Sequence, residues 1–406
     1  MKILLLCNKA PYPPNDGSSI AVYSMAEGLR EAGANITVWA LNTKKHFKED
    51  KAVPEHIKKN WNYFTFFADT TPSVPGALKN LFFSNESYFS ERFFISEFNQ
   101  KLIEKLNQEK FDIIQLEGLF MGNYLPAIRR YSKALISYRA HNVEFKIWER
   151  MMRNSQNPIK KLYLGIQTRR LKKFEKKVLD GVDLLVPITD TDEKNIQHIF
   201  NFQKPSIPIP TGLWNEQFKL LPVKNTPFTL FFFGAMDWMP NVEAARWLAE
   251  DIFPAIRKKI PGALCILAGR FMPKAIKKLK NTDGLVLMEE VKNNLEFYEN
   301  GTIMTVPLLS GSGLKIKMLE GMALGKCIIT TSIGAEGIHG THGIHYFIAD
   351  RKEDFISIIL HLYENPDIIK NVGANARKFV TEHYNMKILG KRLVDFYTQF
   401  LNNNSK

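Results

Sequence analysis

Residues 307–337 read PLLSGSGLKIKMLEGMALGKCIITTSIGAEG and concentrate the residue types suited to chemistry. A short apolar run, Thr302 to Val306, leads into Gly311-Ser312-Gly313. A helical pattern carrying Lys315, Lys317 and Glu320 follows and stops near Gly325, and a second apolar run, Cys327 to Thr330, comes straight after. Glycines let backbone N–H groups approach a bound group closely, and a helix N-terminus attracts phosphate oxygens. Lys315 adds positive charge near the helix start, and Glu320 can accept hydrogen bonds from sugar hydroxyls. An anion cradle beside a hydroxyl acceptor suits a nucleotide-sugar better than a phosphate alone. A plainer reading uses the same letters: a glycine turn with a serine N-cap, and a Lys317–Glu320 helical pair contributing about 0.2–0.5 kcal/mol.

The elements that must position this segment read as two α/β domains. In the N-terminal half, strand-like runs fall at Lys2–Cys7, Asn35–Leu41, Tyr63–Phe67, Asp112–Leu116, Ala134–Ser137 and Asp183–Pro187. Helical patterns between them include 18–32, 91–107 and 159–179. Prolines 205, 208, 210, 222 and 227 crowd a break near 200–226, which predicts the connection between domains. The pattern then restarts, with strands at Thr229–Phe233, Leu264–Leu267, Leu285–Met288, Thr302–Val306, Cys327–Thr330 and His345–Ile348. Strands alternating with helices predict doubly wound parallel sheets, which bind ligands beyond the carboxyl ends of their strands. The predicted division is 1–205, 206–385 and a terminal helix in 386–406. Residues 82–98 are rich in aromatics and are assigned to core, with an apolar surface for an acceptor lipid as the alternative.

Three further stretches fall in strand-end positions: 11–18 (PYPPNDGS), 139–144 (RAHNVE), and 233–241 (FGAMDWMPN) continuing through Phe253-Pro254 to 267–270 (LAGR). Together with 307–337, in this order, they resemble retaining glycosyltransferases of the GT-B type, family four (glycosyl transferases group 1). The resemblance implies two Rossmann-like domains facing an interdomain cleft. It assigns the N-terminal domain to the acceptor and the C-terminal domain to the nucleotide-sugar donor, with the terminal helix crossing back to the N-terminal domain. It places His141 at the donor sugar or phosphate, with Lys315 and Glu320 as the other catalytic-region residues. Gly17, Gly234, Arg270, Gly311, Ser312, Gly313 and Leu314 are expected at the donor, and Asp16 and Glu144 in the loops toward donor or acceptor. Two departures stand out. Ser312 occupies the place where many members carry a sugar-contacting glutamate. Asp237, Trp238, Pro240 and Asn241 stand where many carry an arginine and a lysine, so Lys315 and Arg270 are the expected phosphate cations. Backbone near Glu290–Lys292 is the expected reader of the base.

Composition narrows the choice. The chain has 406 residues, 45% of them hydrophobic, enough for two proper cores. No apolar run is long enough to span a bilayer, and Ile3–Cys7 is too short for a signal-peptide core, so the expected location is cytoplasmic. Cys7, Cys265 and Cys327 are spaced as buried free thiols rather than as a metal site. His339, His342 and His345 lie among glycines and read as an exposed turn, so no metal is expected. The net charge is +14, densest at Lys160–Lys177 with apolar residues interleaved. This reads as a solvated basic face of a packed helix, or as a contact with an anionic membrane surface. No zinc-finger, RNP-type or basic-zipper pattern supports nucleic acid binding.

Transfer would leave the donor diphosphate as an anion while the sugar carbon becomes cationic, and positive groups aimed at that charge stabilise it. The resemblance implies metal-independent transfer without a cofactor, to a glycan or lipid-linked saccharide, with retained configuration and no protein nucleophile. Two other readings are a nucleotide-sugar epimerase of the same fold and a non-catalytic sugar-nucleotide-binding protein. A dehydrogenase is a poor fit to the proline-rich segment after the first strand, which lacks Gly-x-Gly-x-x-Gly.

Overall fold

The computed structural model describes residues 1–14, 16–214, 217–222, 227–291, 294–311 and 313–404. They divide into two units: Met1–Gly212 with Met386–Lys406, and Leu213–Asn385.

Unit 1 is built on six parallel strands: β1 (Lys2–Cys7), β2 (Asn35–Thr43), β3 (Phe64–Ala68), β4 (Ile113–Glu117), β5 (Leu135–Ala140) and β6 (Leu184–Pro187). Their order is β3-β2-β1-β4-β5-β6, with Leu5 opposite both Val38 and Gln115. Residues Ile3 to Cys7 are fully buried, as expected of a parallel strand covered on both faces. Unit 2 has β7 (Thr229–Phe233), β8 (Leu264–Ala268), β9 (Leu285–Met288), β10 (Ile303–Val306), β11 (Cys327–Thr330) and β12 (Phe347–Ile348), ordered β12-β11-β10-β7-β8-β9. Both sheets thus follow the same plan. Their crossovers diverge between β1 and β4 and between β7 and β10, which opens a crevice at the carboxyl ends of those strands.

Every strand-like run is a strand, with ends displaced by a few residues. The last shrinks to Phe347–Ile348 because the Ile344 and His345 amides turn back to the Thr341 carbonyl. The helix expected over 91–107 is broken into Tyr88–Glu91 and Ser96–Gln108. At the break the Tyr124 hydroxyl accepts from the Ile95 N–H at 3.0 Å and donates to the Phe93 carbonyl at 2.8 Å, replacing helical partners. The aromatic stretch is divided too. Phe89 and Phe98 are core, whereas Phe82 and Phe83 on the Val74–Phe83 helix are 73% and 86% exposed. That helix is tied down through its polar side, where Gln167 and Arg170 hold Asn80. In the basic segment, Leu171, Phe174 and Val178 are buried while Lys172, Lys173, Lys176 and Lys177 face outward, but Leu162 is exposed. All three cysteines are buried and free. Among the described residues no helix is long and apolar enough to cross a membrane.

The helix Met386–Asn404 completes unit 1. Its Gly390 lies against Gly28 of the helix Gly17–Glu31, and a Cβ on Gly390 would come 2.3 Å from the Gly28 carbonyl oxygen. Further along, the buried Tyr397 hydroxyl reaches Gln115 Oε1 at 2.5 Å and Ser137 Oγ at 2.8 Å. Backbone contact of this kind has no room for a side chain. Gly390→Leu should cost about 1–3 kcal/mol of unit 1 stability, measured by urea unfolding, by forcing the two helices apart.

Candidate active site

In unit 2, the chain leaves β7 at Gly234 and β8 at Gly269 so close together that a Cβ on Gly269 would lie 1.9 Å from the Gly234 oxygen. A Cβ on Gly234 would meet Lys317 Nζ at 2.5 Å and Asn241 Nδ2 at 2.7 Å. Gly234 therefore makes room for an ammonium. Lys317 projects from the helix Ile316–Ala323 to donate to Asn241 Oδ1 at 2.7 Å, with its Nζ 4.6 Å from the Phe232 ring centre. Asn241 is itself fixed by donating to the Ala235 carbonyl at 2.7 Å. Burial pushes Lys317 down to about 7, with Glu320 opposing and Lys315 reinforcing. Burial pushes Glu320 up to about 7, against the pull of Lys317. The Tyr298 hydroxyl is buried without a hydrogen-bond partner among the described residues, and burial and Glu320 hold its pKa well up.

Lys315 takes a different direction. Its Nζ donates to the Gly313 carbonyl at 2.5 Å and lies 3.7 Å from Glu336, so it braces its own loop. Gly311 and Gly313 both have positive φ, +121° and +76°, and a Cβ on Gly311 would press on Trp238 at 3.2 Å. Leu314 packs partly buried against the core. Ser312 and Lys292 lie outside the described residues. Arg270 is exposed, its guanidinium 5.8 Å from the Phe271 ring centre, and Phe271 is held at φ +62°, a costly conformation for an aromatic residue. Trp238, Met239, Phe271 and Leu309 form an exposed apolar set on the loops after β7, β8 and β10.

Unit 1 holds a second polar cluster at the ends of β4 and β5. Glu117 and Arg139 are fully buried, with Arg139 Nη1 3.2 Å from Glu117 Oε2 and 3.4 Å from the Ala21 carbonyl. His141 Nε2 is 2.8 Å from the same carboxylate oxygen, and Gln115 Nε2 donates to Glu117 Oε1 at 2.5 Å. With Nε2 engaged by the carboxylate, Nδ1 is the His141 nitrogen left for a ligand. Burial alone would raise the Glu117 pKa, but Arg139 and then His141 outweigh it and hold the carboxyl below its ordinary value. Arg139 Nε and Nη2 are buried without partners among the described residues. Glu144 opens the helix Glu144–Arg153, whose first amides, on Glu144 and Phe145, donate to Glu175 at 3.0 and 3.1 Å. Burial pushes Glu175 up to about 8 and Glu144 up to about 7, the nearby Asp192 adding to both. Asp16 caps the helix Gly17–Glu31 through the Ser19 amide and pairs with Lys9 at 2.6 Å, while a side chain on Gly17 would meet open space.

The structure therefore gathers Gly234, Gly311, Gly313 and Glu320 with Lys317 and Asn241 at the strand ends of unit 2, and places His141, Glu144, Asp16 and Gly17 at those of unit 1. Lys317, Glu117 and Glu175 were not among the expected site residues. Lys317 was visible only as a helical neighbour of Glu320, and Glu117 only as the acid ending an apolar run. His342 Nδ1 and His345 Nδ1 accept backbone amides of Ile348 and Thr341, which pins their turn.

Removing one member of a buried ion pair strands the other. Glu117→Leu should lose about 3–5 kcal/mol in chemical unfolding. Because the folded Glu117 pKa is depressed, its contribution is fully present above the unfolded value of 4.5 and lost as pH falls through the folded value, so the acid limb of the wild-type stability profile should shrink in the variant.

Among known proteins, residues 227–365 match the family described as Glycosyl transferases group 1. An uncharacterized 44.6 kDa protein in the cps region of Klebsiella pneumoniae is 23% identical over 396 residues, covering 95% of this chain and 97% of its own. Sucrose-phosphate synthase from Thermosynechococcus elongatus matches with a TM-score of 0.71 at 15% identity, over 99% of this chain and 100% of that one. HepE of Anabaena, solved in complex with UDP-glucose, matches at 0.67 and 12% identity, over 98% and 100% of the two chains. Two parallel six-stranded sheets with flanking helices are shared with these structures, so the fold is GT-B. The residues that carry the family pattern lie within unit 2.

Proposed function

We propose that this chain transfers a hexose from a uridine-diphosphate donor to a hydroxyl of a glycan or lipid-linked saccharide, with retained configuration and without a metal or cofactor. The observation that carries this is Lys317, a half-buried ammonium held by Asn241 against Gly234, one helical turn from Glu320. The site lies where β7 and β10 diverge, the place an open parallel sheet offers a ligand. In this reading Lys317 meets the diphosphate, joined by Arg270 and the Gly311–Gly313 backbone, and takes the part a divalent cation plays elsewhere. Lys315 holds the loop in shape. Glu320 binds sugar hydroxyls, and the exposed Trp238 and Phe271 offer faces for the base. In unit 1, His141 presents Nδ1 toward donor or acceptor, oriented by Glu117, with Asp16, Gly17 and Glu144 in the surrounding loops.

The bond from the sugar carbon to the diphosphate oxygen breaks, the acceptor oxygen bonds to that carbon on the same face, and its proton passes to the departing phosphate. Retention rests on the resemblance of 311–320 to the retaining family. UDP as carrier is supported by the ligand of the Anabaena structure, and polysaccharide assembly by the cps-region relative. The matches to glycosyltransferases do not favour an epimerase.

UDP should raise the melting temperature of the wild type without added metal, and GDP and ADP should do so less. Lys317→Met and Glu320→Ala should each abolish or strongly reduce the shift. An equal shift in both variants would overturn the site. Because free Lys317 titrates near 7, an anion must re-protonate it at higher pH. UDP affinity should therefore fall by up to about tenfold per pH unit above 7, a dependence absent from Lys317→Met.

We also propose that unit 1 rests on an anionic bilayer. Val74, Leu78 and Phe82 recur every four residues on one exposed helix face, next to the basic side of the helix Pro158–Gly181. Vesicles containing phosphatidylglycerol should carry the wild type upward in a flotation gradient. The double variant Phe82→Ser, Phe83→Ser should stay at the bottom, and its cofloating would refute the contact.

A further inference from the structure

A second cavity lies wholly within unit 1, on the β1–β2–β3 side of the sheet. It is half open to solvent, with a volume of about 440 Å³, and lining it are Lys9 after β1, Thr43 closing β2, Lys45 and His46 after β2, Thr70 after β3, and Arg92. From this we infer an oxyanion site: the acceptor carries a phosphoryl group, and that group seats here. The inference rests on the glycosyltransferase reading, since it names the chemical class of the second substrate.

Four basic side chains face one cavity, and among the described residues no carboxylate lines it. Of the four, Lys9 is already paired with Asp16 at 2.6 Å, and Asp69 is engaged by Lys44 at 2.9 Å. Lys45 and His46 have no hydrogen-bond or ion-pair partner among the described residues. Among the described residues Arg92 is held by neutral groups. Its guanidinium donates to the Thr70 and Tyr88 carbonyls and lies 5.4 and 5.8 Å from the Tyr88 and Phe93 ring centres. These contacts fix the guanidinium without neutralising it. A half-buried guanidinium held without an acid is suited to an anion that arrives from outside.

The second observation is independent of charge. The Thr43 hydroxyl is buried at the cavity and has no hydrogen-bond partner among the described residues. Buried hydroxyls are nearly always satisfied, and this one is left over for a ligand oxygen. Ser18, in the first turn of the helix Gly17–Glu31, also lines the cavity. Burial and then Lys9 hold His46 below its ordinary value, against the pull of Asp16. A doubly charged tetrahedral group with several acceptor oxygens uses the cations and the hydroxyls together; a planar carboxylate uses fewer of them.

The volume falls in the range of small-molecule pockets. Thr70, Thr71 and Pro72 at its wall run directly into the exposed apolar helix Val74–Phe83. The phosphoryl group can therefore belong to a soluble phosphosugar or to a lipid head group, and the test separates the two.

Full-length wild type and two variants, Lys45→Glu on the exposed rim and Thr43→Val at the buried hydroxyl, are titrated calorimetrically. The probes are glucose 6-phosphate, glucose, UDP, and phosphatidylcholine vesicles with or without phosphatidic acid. The expected result is binding of glucose 6-phosphate but not glucose, weakened at least about tenfold by Lys45→Glu and measurably by Thr43→Val, while UDP binds all three proteins. Binding of phosphatidic acid vesicles alone, with the same sensitivity to Lys45→Glu, assigns the site to a lipid phosphate and equally supports it. If UDP binds but neither phosphate probe does, or if both variants bind the phosphate probes as well as wild type, the oxyanion site is wrong and the glycosyltransferase reading stands. If UDP itself fails to bind the wild type, that reading falls and the acceptor assignment falls with it.

Discussion

A carboxylate sealed away from water must be matched by positive charge and hydrogen bonds, or the fold around it fails. Glu117 is that group in unit 1. Its charge is met by Arg139 on the neighbouring strand, its second oxygen by Gln115, and its remaining direction by His141. Arg139 in turn reaches the Ala21 carbonyl of the first long helix, and Gln115 is clasped by Tyr397 of the last one. Two strands, two helices and the His141 side chain are therefore set by the placement of one buried charge. The histidine is oriented because the protein must satisfy Glu117, and its orientation is a by-product of stability.

Unit 2 applies the opposite sign to the same problem. There the charge is the half-buried ammonium of Lys317, to which the described residues offer an amide oxygen and an aromatic face. That aims Lys317, while burial lowers its pKa and Glu320 opposes the drop. A group left under-satisfied in this way gains most from an anion. The contrast between the units is one between a charge already matched and a charge held in reserve.

How much of this was legible in the sequence depended on distance along the chain. Parallel strands covered on both faces leave apolar runs, so the sheets could be read directly, and glycines at strand ends announced Gly234, Gly311 and Gly313. Lys317 hid because its partner Asn241 lies far back in the sequence, while its local pattern is that of an ordinary helical ion pair. Glu117 hid for a similar reason: its partners come from the next strand. Glu175 lay within a basic run whose charge concealed one acid turned inward to cap another helix. Phe82 and Phe83 show the reverse error, since aromatic content alone suggested core where the polar residue Asn80 is the buried anchor.

The contact of Gly28 with Gly390 has a consequence for how the chain comes into being. Unit 1 is assembled from two stretches, and all of unit 2 is inserted between them. During synthesis the stretch Met1–Gly212 emerges with an unfilled groove along the helix Gly17–Glu31 and with Gln115 lacking its Tyr397 partner. Unit 2, being continuous, has everything it needs sooner. The usual N-terminal-first order of folding is thereby inverted. The inserted unit can settle while the earlier one waits for its closing helix, and a chain interrupted before Met386 carries a finished second unit joined to an unfinished first.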